Sequence, residues 1–266
     1  MPSHPVVVVT GSTRGIGHAL AGELARRGAT VVLSGRTAEA VERATAELAA
    51  RASADQFAGW TCDVRRPQDL QALWDHAAAR FGEVDLWINN AGAGHPQTKI
   101  WEQPADQIRA VIETNLLGAI YGSGVAVRGM LAQGHGSLYN FEGLGSDGRK
   151  QRGLTFYGAS KYGLHYFNEC LAAELRGTNI LFGMIRPGMV LTDLIRDQYR
   201  GKEEAWRRDQ RILRAIASPV EAVASTLARR ILENRRHGVV IRYGSTLRIL
   251  WRLATMPRRG AAEPPG

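Results

Sequence analysis

The chain has 266 residues, of which 44% are apolar, and this is enough to bury the core of a single α/β domain. No run of about 18 consecutive apolar residues occurs, which argues against a membrane-spanning helix, and the start lacks the regions of a signal peptide, so we expect a cytoplasmic protein. The formal net charge of +9 comes from residues 186–266, which carry 17 basic and 8 acidic side chains against 17 of each in residues 1–185, and this charge alone does not predict nucleic-acid binding.

Short runs rich in β-branched residues alternate with helical periods along the chain. The predicted strands are Val6–Thr10, Thr30–Ser34, Phe57–Cys62, Val84–Asn89, Gly136–Phe141, Asn179–Ile185 and Gly238–Ile241. The predicted helices are Gly17–Arg27, Ala38–Arg51, Asp69–Phe81, Gln107–Gln133, Tyr157–Arg176 and Val220–Asn234. This alternation predicts a Rossmann-type α/β fold, in which a doubly wound parallel sheet carries helices on both faces in three layers. Because no interdomain linker is visible, residues 1–245 are predicted to form one domain.

A glycine-rich turn follows the first predicted strand and opens the first predicted helix. It reads Thr10-Gly11-Ser12-Thr13-Arg14-Gly15-Ile16-Gly17. Glycines let the backbone turn sharply and approach a pyrophosphate, which then lies at the positive N-terminus of the helix. The turn therefore predicts a dinucleotide site formed by residues 11–17.

The end of the second predicted strand indicates which dinucleotide binds. Enzymes that use NAD usually have a carboxylate there for the ribose 2′-hydroxyl, but this chain reads Ser34-Gly35-Arg36. Arg36, together with Arg14 of the glycine turn, favours a 2′-phosphate, because guanidinium groups form charge-assisted bonds to phosphate. We therefore predict NADP(H) as the cofactor.

Tyr157 and Lys161 lie four residues apart at the start of a predicted helix, and so on the same helix face. An ammonium group near a phenol favours the phenolate, so the spacing predicts that Lys161 lowers the pKa of Tyr157. Such a phenol suits proton exchange with a carbonyl or an alcohol.

Together these motifs resemble the short-chain dehydrogenase/reductase family over roughly residues 5–245. The resemblance rests on motifs in the family's order, namely the glycine turn, Asp63, Asn89-Asn90-Ala91-Gly92, Asn115, Tyr157 with Lys161, and Pro187-Gly188 with Thr192. It implies catalytic roles for Asn115, Tyr157 and Lys161, in which Asn115 holds a water molecule that relays protons to Lys161. It also implies that the cofactor contacts Asp63, Val64, Asn90, Ala91, Gly92, Tyr157, Lys161, Pro187, Gly188, Val190 and Thr192.

The chain departs from the family pattern where the family has a catalytic serine. That position falls near Gly143 in the run Asn140-Phe141-Glu142-Gly143-Leu144-Gly145-Ser146. Either Ser146 supplies the missing hydrogen-bond donor, or the site relies on Tyr157 alone with a reactive aldehyde. Glu142 is a second acid, a substrate contact or a partner in a salt bridge. The same run resembles the chlorophyll(ide) b reductase branch, whose members also carry glycine there and reduce a formyl group on a chlorophyll-type ring.

Residues beyond the last motif suggest a substrate cover and a surface helix. Residues 193–214 correspond to the segment that closes over the substrate in this family, with Tyr199 and Trp206 as possible contacts. Residues 246–259 predict a basic amphipathic helix that docks on the protein's own body, on a partner subunit or on a membrane surface, and residues 260–266 predict a disordered tail.

The leading hypothesis is an NADPH-dependent carbonyl reductase that acts on an apolar carbonyl or alcohol substrate as a homodimer or homotetramer. The alternatives are reduction of a formyl group on a chlorophyll-type pigment, and a catalytically weak NADP(H)-binding sensor or scaffold. The seven histidines show no metal-ligand spacing, so no metal site is predicted. Cys62 and Cys170 are each expected to be unpaired core residues.

Overall fold

A computed structural model describes residues 4–244 of the chain. Its strands are β1 (Val6–Val9), β2 (Thr30–Gly35), β3 (Phe57–Thr61), β4 (Leu86–Asn89), β5 (Gly136–Phe141), β6 (Ile180–Arg186) and β7 (Val239–Arg242). They form one parallel sheet in the order β3-β2-β1-β4-β5-β6-β7. The predicted Rossmann-type fold is therefore confirmed.

The helices connect these strands and cover both faces of the sheet. They are α1 (Gly15–Arg26), α2 (Ala38–Ala49), α3 (Pro67–Phe81), α4 (Ala105–Ile112), α5 (Gly118–Gln133), α6 (Thr155–Glu174), α7 (Asp193–Asp197), α8 (Glu203–Ile216) and α9 (Val220–Glu233). Local signals set some of their starts. Thr37 caps α2 by accepting a hydrogen bond from the Ala40 backbone N–H at 3.3 Å, and Pro67 occupies the first turn of α3, where no N–H is required.

The inner strands β1, β2, β4 and β5 are almost fully buried, whereas the edge strands β3 and β7 are partly exposed, and β1 reads as a continuous apolar run because both of its faces are covered. Successive side chains of a strand point to opposite faces, so Val7 and Val9 of β1 enter one core and Val8 enters the other. The first core lies under α1, α2 and α9, and the second lies under α3 and α5. This three-layer arrangement leaves the carboxyl ends of the strands as the edge where a site can form.

Strand β1 lies at the point where the strand order reverses. It pairs with β2 on one side and with β4 on the other, and the chain then runs outward in both directions. In open α/β sheets a crevice forms beyond the carboxyl ends of the strands at such a point, and ligands bind there. The turn after Val9 and the loop after Asn89 both open into this crevice.

A single helical run covers residues 105–133, because α4 continues through a π-helical turn, Glu113–Leu117, into α5. The sequence predicted this helix but not its π-helical turn, a distortion that is common at functional sites. Within residues 4–244 it is the one helix long and apolar enough to cross a membrane, which the absence of a long apolar run did not predict. It packs on α3, β4 and β5, as the core helix of a folded domain does.

The other predicted elements agree with the structure to within about two residues at each end. The expectation that both cysteines lie in the core is wrong for Cys170, which is exposed, whereas Cys62 is buried and both are unpaired. The predicted helix over residues 246–259 and the predicted tail over residues 260–266 lie outside the described residues.

Candidate active site

The glycine-rich turn lies tightly against the loop that follows β4. Gly11 and Gly15 both have φ of +61°, a backbone conformation that favours glycine. A Cβ atom added at Gly11 would lie 2.7 Å from Cα of Ala91, so a larger residue would separate the two segments. The turn therefore keeps its backbone close to the crevice at the start of α1.

Side chains fix the turn in this position. The Asn90 amide donates to the carbonyl oxygens of Thr10 at 2.9 Å and Gly11 at 3.0 Å, while the Thr10 hydroxyl accepts from the Asn90 and Ala91 backbone N–H groups. The Ser12 hydroxyl donates to the Val9 carbonyl at 2.7 Å and accepts from the Ser34 N–H at 3.0 Å. The Ser12 N–H also donates to the Ser34 carbonyl at 2.9 Å, so Ser12 is used to fix the turn and its donors do not face the crevice.

The part of the predicted cofactor site that indicates which dinucleotide binds lies where β2 and β3 finish. A Cβ atom at Gly35 would lie 2.5 Å from Cγ2 of Thr13, so the glycine turn occupies the space of a side chain there. Arg36 is exposed. Asp63 accepts three hydrogen bonds of 2.5–3.0 Å from the Arg65 guanidinium, and these bonds, assisted by the positive charge of Arg36, hold the pKa of Asp63 below its usual value.

Arg14 precedes α1 and contacts the predicted substrate cover. Its Nη1 lies 3.1 Å from Oδ2 of Asp193, the first residue of α7, and both side chains are exposed. Thr192 is close by, since a Cβ atom at Gly15 would lie 3.7 Å from its methyl group. The structure thus brings the glycine turn together with Thr192, as the family resemblance implies, but turns Arg14 toward an acidic side chain.

Tyr157 and Lys161 lie one turn apart on α6, and both are buried. Burial raises the pKa of Tyr157 to about 12, and it lowers the pKa of Lys161 to about 8, against the opposing effect of the Glu142 charge. The Lys161 ammonium donates to the Phe141 carbonyl at 3.0 Å. The expectation that Lys161 lowers the pKa of Tyr157 is therefore wrong in this structure, because burial of the phenol dominates.

Gly143 lies directly against the two predicted catalytic side chains. A Cβ atom at this position would lie 2.7 Å from the Tyr157 hydroxyl oxygen and 3.3 Å from Cε of Lys161. Gly143 thus occupies the position where the family resemblance places a serine. The Ser146 hydroxyl accepts a 3.0 Å hydrogen bond from the Gly143 N–H and is buried, so it braces the turn, and its role as a donor to substrate stays a prediction.

The sequence left three roles open for Glu142, namely a second acid, a substrate contact or a partner in a salt bridge. The residues around it distinguish between these roles. Its carboxylate accepts from Nε of Arg186 at 2.5 Å and from the Asn168 amide at 3.3 Å, and it lies 2.7 Å from Nδ1 of His165. The side chain is fully buried. Glu142 is therefore an ion-paired residue behind the site, and its partners Arg186, His165 and Asn168 carried no motif that could have identified them.

Asn115 lies in the π-helical turn and links two parts of the site. Its side chain accepts from the Ala93 N–H at 2.7 Å, donates to the Ala93 carbonyl at 3.0 Å, and donates to the Ser160 hydroxyl at 3.3 Å. Val64, also assigned to the cofactor site by resemblance, packs against the start of α5 at Gly118. The Asn115 side chain thus holds the loop after β4 against the helix that carries Tyr157.

The motif after β6 completes the edge of the crevice. Gly188 has φ of +72°, and Val190 is buried and pairs with Ser218 in an isolated parallel bridge. The backbone turns sharply after Pro187 and then leads through Thr192 into α7. The residues after β6 that the resemblance assigns to the cofactor therefore lie between β6 and the predicted cover.

The predicted cover forms two helices, α7 and α8, beside a surface pocket of about 390 Å³. Its lining includes Arg14, Asp193, Arg196, Tyr199 and Trp206, and the rings of Tyr199 and Trp206 meet edge to face at 5.4 Å. A cavity of only about 10 Å³ adjoins Tyr157. We assign the chemistry to the surroundings of this smaller cavity because Tyr157 lines it, whereas the larger pocket lies at the cover.

One cluster outside the crevice brings together residues that the sequence did not connect. His135 lies 3.4 Å from Asp85 and 3.6 Å from Glu83, at the opposite edge of the sheet from Tyr157. Its second ring nitrogen lies 3.4 Å from the Gln133 carbonyl oxygen. His135 therefore lies between two carboxylates.

Comparison with known proteins agrees with this geometry. The family model described as short chain dehydrogenase matches residues 5–203. Chlorophyll(ide) b reductase NOL of Oryza sativa subsp. japonica, a chloroplastic protein, is 35% identical over 226 residues, which are 83% of this chain and 64% of that protein. Carbonyl reductase family member 4 of Xenopus laevis is 32% identical over 193 residues, covering 72% and 78% of the two chains. The chain spans 52% to 64% of the length of the chlorophyll(ide) b reductases it matches.

Solved structures with similar folds contain either nicotinamide cofactor. An actinorhodin polyketide ketoreductase variant solved with NADPH superposes with a TM-score of 0.79 and 26% identity, covering 90% of this chain and 95% of that chain. A short chain dehydrogenase/reductase from Burkholderia phymatum, solved in complex with NAD, gives a TM-score of 0.77 and 28% identity over 90% of both chains. Structural similarity thus covers 90% of this chain but does not distinguish NADP from NAD.

Proposed function

The chain belongs to the short-chain dehydrogenase family, and we propose that within this family of oxidoreductases it is an NADPH-dependent carbonyl reductase. The observation that carries the proposal is the buried pair of Tyr157 and Lys161, held beside Gly143 at the carboxyl edge of the sheet. A phenol and an ammonium group in this arrangement can supply a proton to a substrate oxygen.

The residues at the crevice fit a dinucleotide phosphate. The positive-φ glycines and the N-terminus of α1 provide a backbone surface for a pyrophosphate, and Arg36 is an exposed cation beyond the end of β2, where no carboxylate occurs. When bound, the cofactor supplies the hydride that reduces the carbonyl carbon. In this proposal Arg14 and Arg36 both contact the 2′-phosphate. Asp193 competes with the phosphate for Arg14.

The protonation state of Tyr157 suits a role as proton donor near neutral pH. Because the pKa of Tyr157 is raised to about 12, its phenol stays protonated and can donate to a developing alkoxide. Oxidation of an alcohol would require the phenolate, which is scarce at neutral pH. Lys161, with its pKa near 8, is largely an ammonium group below that pH and can return a proton to the site.

The glycine at position 143 limits the substrate to reactive carbonyl groups. A hydrogen-bond donor at an oxyanion is worth roughly 10²–10³ in rate, and the serine that supplies one in this family is replaced here. An aldehyde needs less stabilisation than a ketone. Leu144, Leu154 and Leu194 lie near Tyr157, which favours an apolar group on the substrate. We therefore propose that apolar aldehydes are preferred.

A formyl group on a chlorophyll-type pigment is the second candidate substrate. Gly143 and the 35% identity to chlorophyll(ide) b reductase NOL favour it. The aromatic pair Tyr199 and Trp206 in the pocket at the cover could contact a large flat ring. The chain spans only part of the length of those reductases. Their similarity therefore supports pigment reduction less directly than it supports carbonyl reduction in general.

The experiment that tests the proposal measures oxidation of NADPH and of NADH by the purified full chain. The substrates are a series of aromatic aldehydes, the methyl ketone that corresponds to each aldehyde, and a formyl-substituted porphyrin. We expect turnover with NADPH and a higher kcat/KM on the aldehyde of each pair. NADPH binding without turnover on any carbonyl contradicts the enzymatic proposal, and equal use of NADH contradicts the assignment of the cofactor.

We also propose that the chain assembles into homodimers or homotetramers and works in the cytoplasm. Tyr162 and Tyr166, one turn apart on α6, are 58% and 71% exposed and would be covered in an assembly. The two unpaired cysteines are compatible with a reducing compartment. Light scattering on the purified chain tests the assembly, since a mass of one chain would contradict it.

A further inference from the structure

A buried carboxylate lies behind the proton-transfer pair. Glu142 has no exposed side-chain surface, and three side chains surround it, namely Arg186 from β6 at 2.5 Å and His165 and Asn168 from α6 at 2.7 and 3.3 Å. Burying a carboxylate is unfavourable unless partners compensate it, and here the Arg186 guanidinium forms an ion pair with Glu142 inside the protein. The Glu142–Arg186 ion pair is thus part of the interior behind the site.

Glu142 is also the residue that joins two parts of the site. The preceding residue, Phe141, provides the carbonyl that accepts from the Lys161 ammonium at 3.0 Å. The following residue, Gly143, lies against the Tyr157 hydroxyl. Fixing the carboxylate at position 142 therefore fixes the backbone on which both proton-transfer groups rest.

Resting on the reductase proposed above, we propose that Glu142 is a positioning residue that keeps the buried Lys161 side chain in its ammonium form. A buried amine loses its proton readily, because burial disfavours the charged form. The only acidic group acting on Lys161 in the part of the chain that the structure describes is Glu142, and it raises the pKa of Lys161 against the effect of burial. Tyr157, on the same helix, is the other titratable group at the site.

The side chains around Glu142 change how strongly its charge acts on the pKa of Lys161. Arg186 offsets part of the carboxylate's charge directly. His165 contacts Glu142 through Nδ1, and its Nε2 lies 3.5 Å from the exposed carboxylate of Glu169. The charged groups near Glu142 are thus Arg186 and Lys161, together with His165 when its ring is protonated. The Glu169 carboxylate lies on the far side of His165 from Glu142.

The proposal is tested by measuring the protonation of Lys161 without any turnover. The chain has four lysines, so lysine labelled with ¹³C at Cε gives few NMR signals, and loss of one in Lys161→Arg assigns it. We expect Lys161 to titrate near pH 8 in the unmodified protein. In Glu142→Gln it should titrate at lower pH, because loss of the Glu142 charge leaves the effect of burial on Lys161 unopposed.

Two controls separate this electrostatic role from a structural one. Glu142→Asp keeps the charge and should keep the Lys161 titration close to that of the unmodified protein. Glu169→Gln removes a charge on the far side of His165 and should leave the titration unchanged. An unshifted Lys161 in Glu142→Gln, or an equal shift in Glu169→Gln, overturns the proposal.

A further variant applies if Glu142→Gln does not fold. Arg186→Gln leaves the Glu142 charge less compensated, so Lys161 should titrate at higher pH, and an unchanged or lower value overturns the proposal. Once an active substrate is found, the alkaline limb of kcat/KM should move with the Lys161 titration in every variant. If the unmodified protein turns over no carbonyl, the reductase proposal fails, but the NMR titration still decides the role of Glu142.

Discussion

A methyl group added at position 143 should impair catalysis by moving the proton donor. In Gly143→Ala the new Cβ would lie 2.7 Å from the Tyr157 hydroxyl oxygen, and nonbonded carbon and oxygen atoms stay about 3.0 Å or more apart, so this oxygen must move by a few tenths of an ångström. Lys161 limits the movement, because its Cε would lie 3.3 Å from the same Cβ. Since a misplacement of about 1 Å can cost a factor of 10², we expect kcat to fall roughly tenfold to hundredfold. This loss corresponds to about 1.4–2.7 kcal/mol of transition-state stabilisation.

The assay compares three variants in steady-state reduction of the preferred aldehyde. Gly143→Ser adds a hydroxyl donor to the same Cβ atom, so its kcat should be higher than that of Gly143→Ala. The ratio of the two kcat values measures the contribution of the donor. Gly124→Ala on α5 is the control, because a Cβ there would meet only the flexible Arg128 side chain at 3.4 Å. The affinity for NADPH should be similar in all three. A kcat for Gly143→Ala equal to or above that of the unmodified protein would refute the reasoning.

The remaining predictions concern the proton donor, the turn that carries Gly143 and the two arginines of the cofactor site. Tyr157→Phe should abolish turnover yet leave the NADPH dissociation constant nearly unchanged in a fluorescence titration, because the phenol supplies the proton and the glycine turn supplies binding; undiminished turnover would remove the mechanism. Ser146→Ala leaves the half-buried Gly143 N–H without its acceptor, which costs about 0.5–1.5 kcal/mol, so the melting temperature should fall by a few degrees while kcat falls less than tenfold. A loss of roughly 10²–10³ in kcat at an unchanged melting temperature would instead make Ser146 the missing donor. Arg36→Asp should weaken NADPH binding by about tenfold or more and narrow the preference over NADH, and an unchanged ratio of the two dissociation constants would contradict the role of Arg36. Asp193→Asn releases Arg14 from an exposed ion pair worth at most about 1 kcal/mol, so NADPH should bind up to about fivefold more tightly, and weaker binding would count against the competition we propose.

Local sequence determined most of the fold and the composition of the site. The inner strands of a parallel sheet are covered on both faces, so β1 appears in the sequence as an apolar run whose ends need no tertiary information. The glycine turn is recognisable because few other residues adopt its backbone conformation, and the pair Tyr157 and Lys161 because four residues make one helical turn. The expected position of the missing serine, near Gly143, also follows from spacing along the chain.

Only the tertiary structure decided how these residues act on one another. Arg186 is 44 residues from Glu142 in the chain, and Asp193 is 179 residues from Arg14, so no local pattern connects either pair. The sign of the pKa shift at Tyr157 depended on burial by the surrounding elements, which outweighs the nearby lysine that the spacing emphasised. Desolvation and ion pairing are set by everything that packs around a group, whereas sequence spacing specifies only its neighbours on one strand or helix. For this protein the sequence therefore determined which chemical groups are present at the site, and the packing of distant segments decided their protonation and their partners.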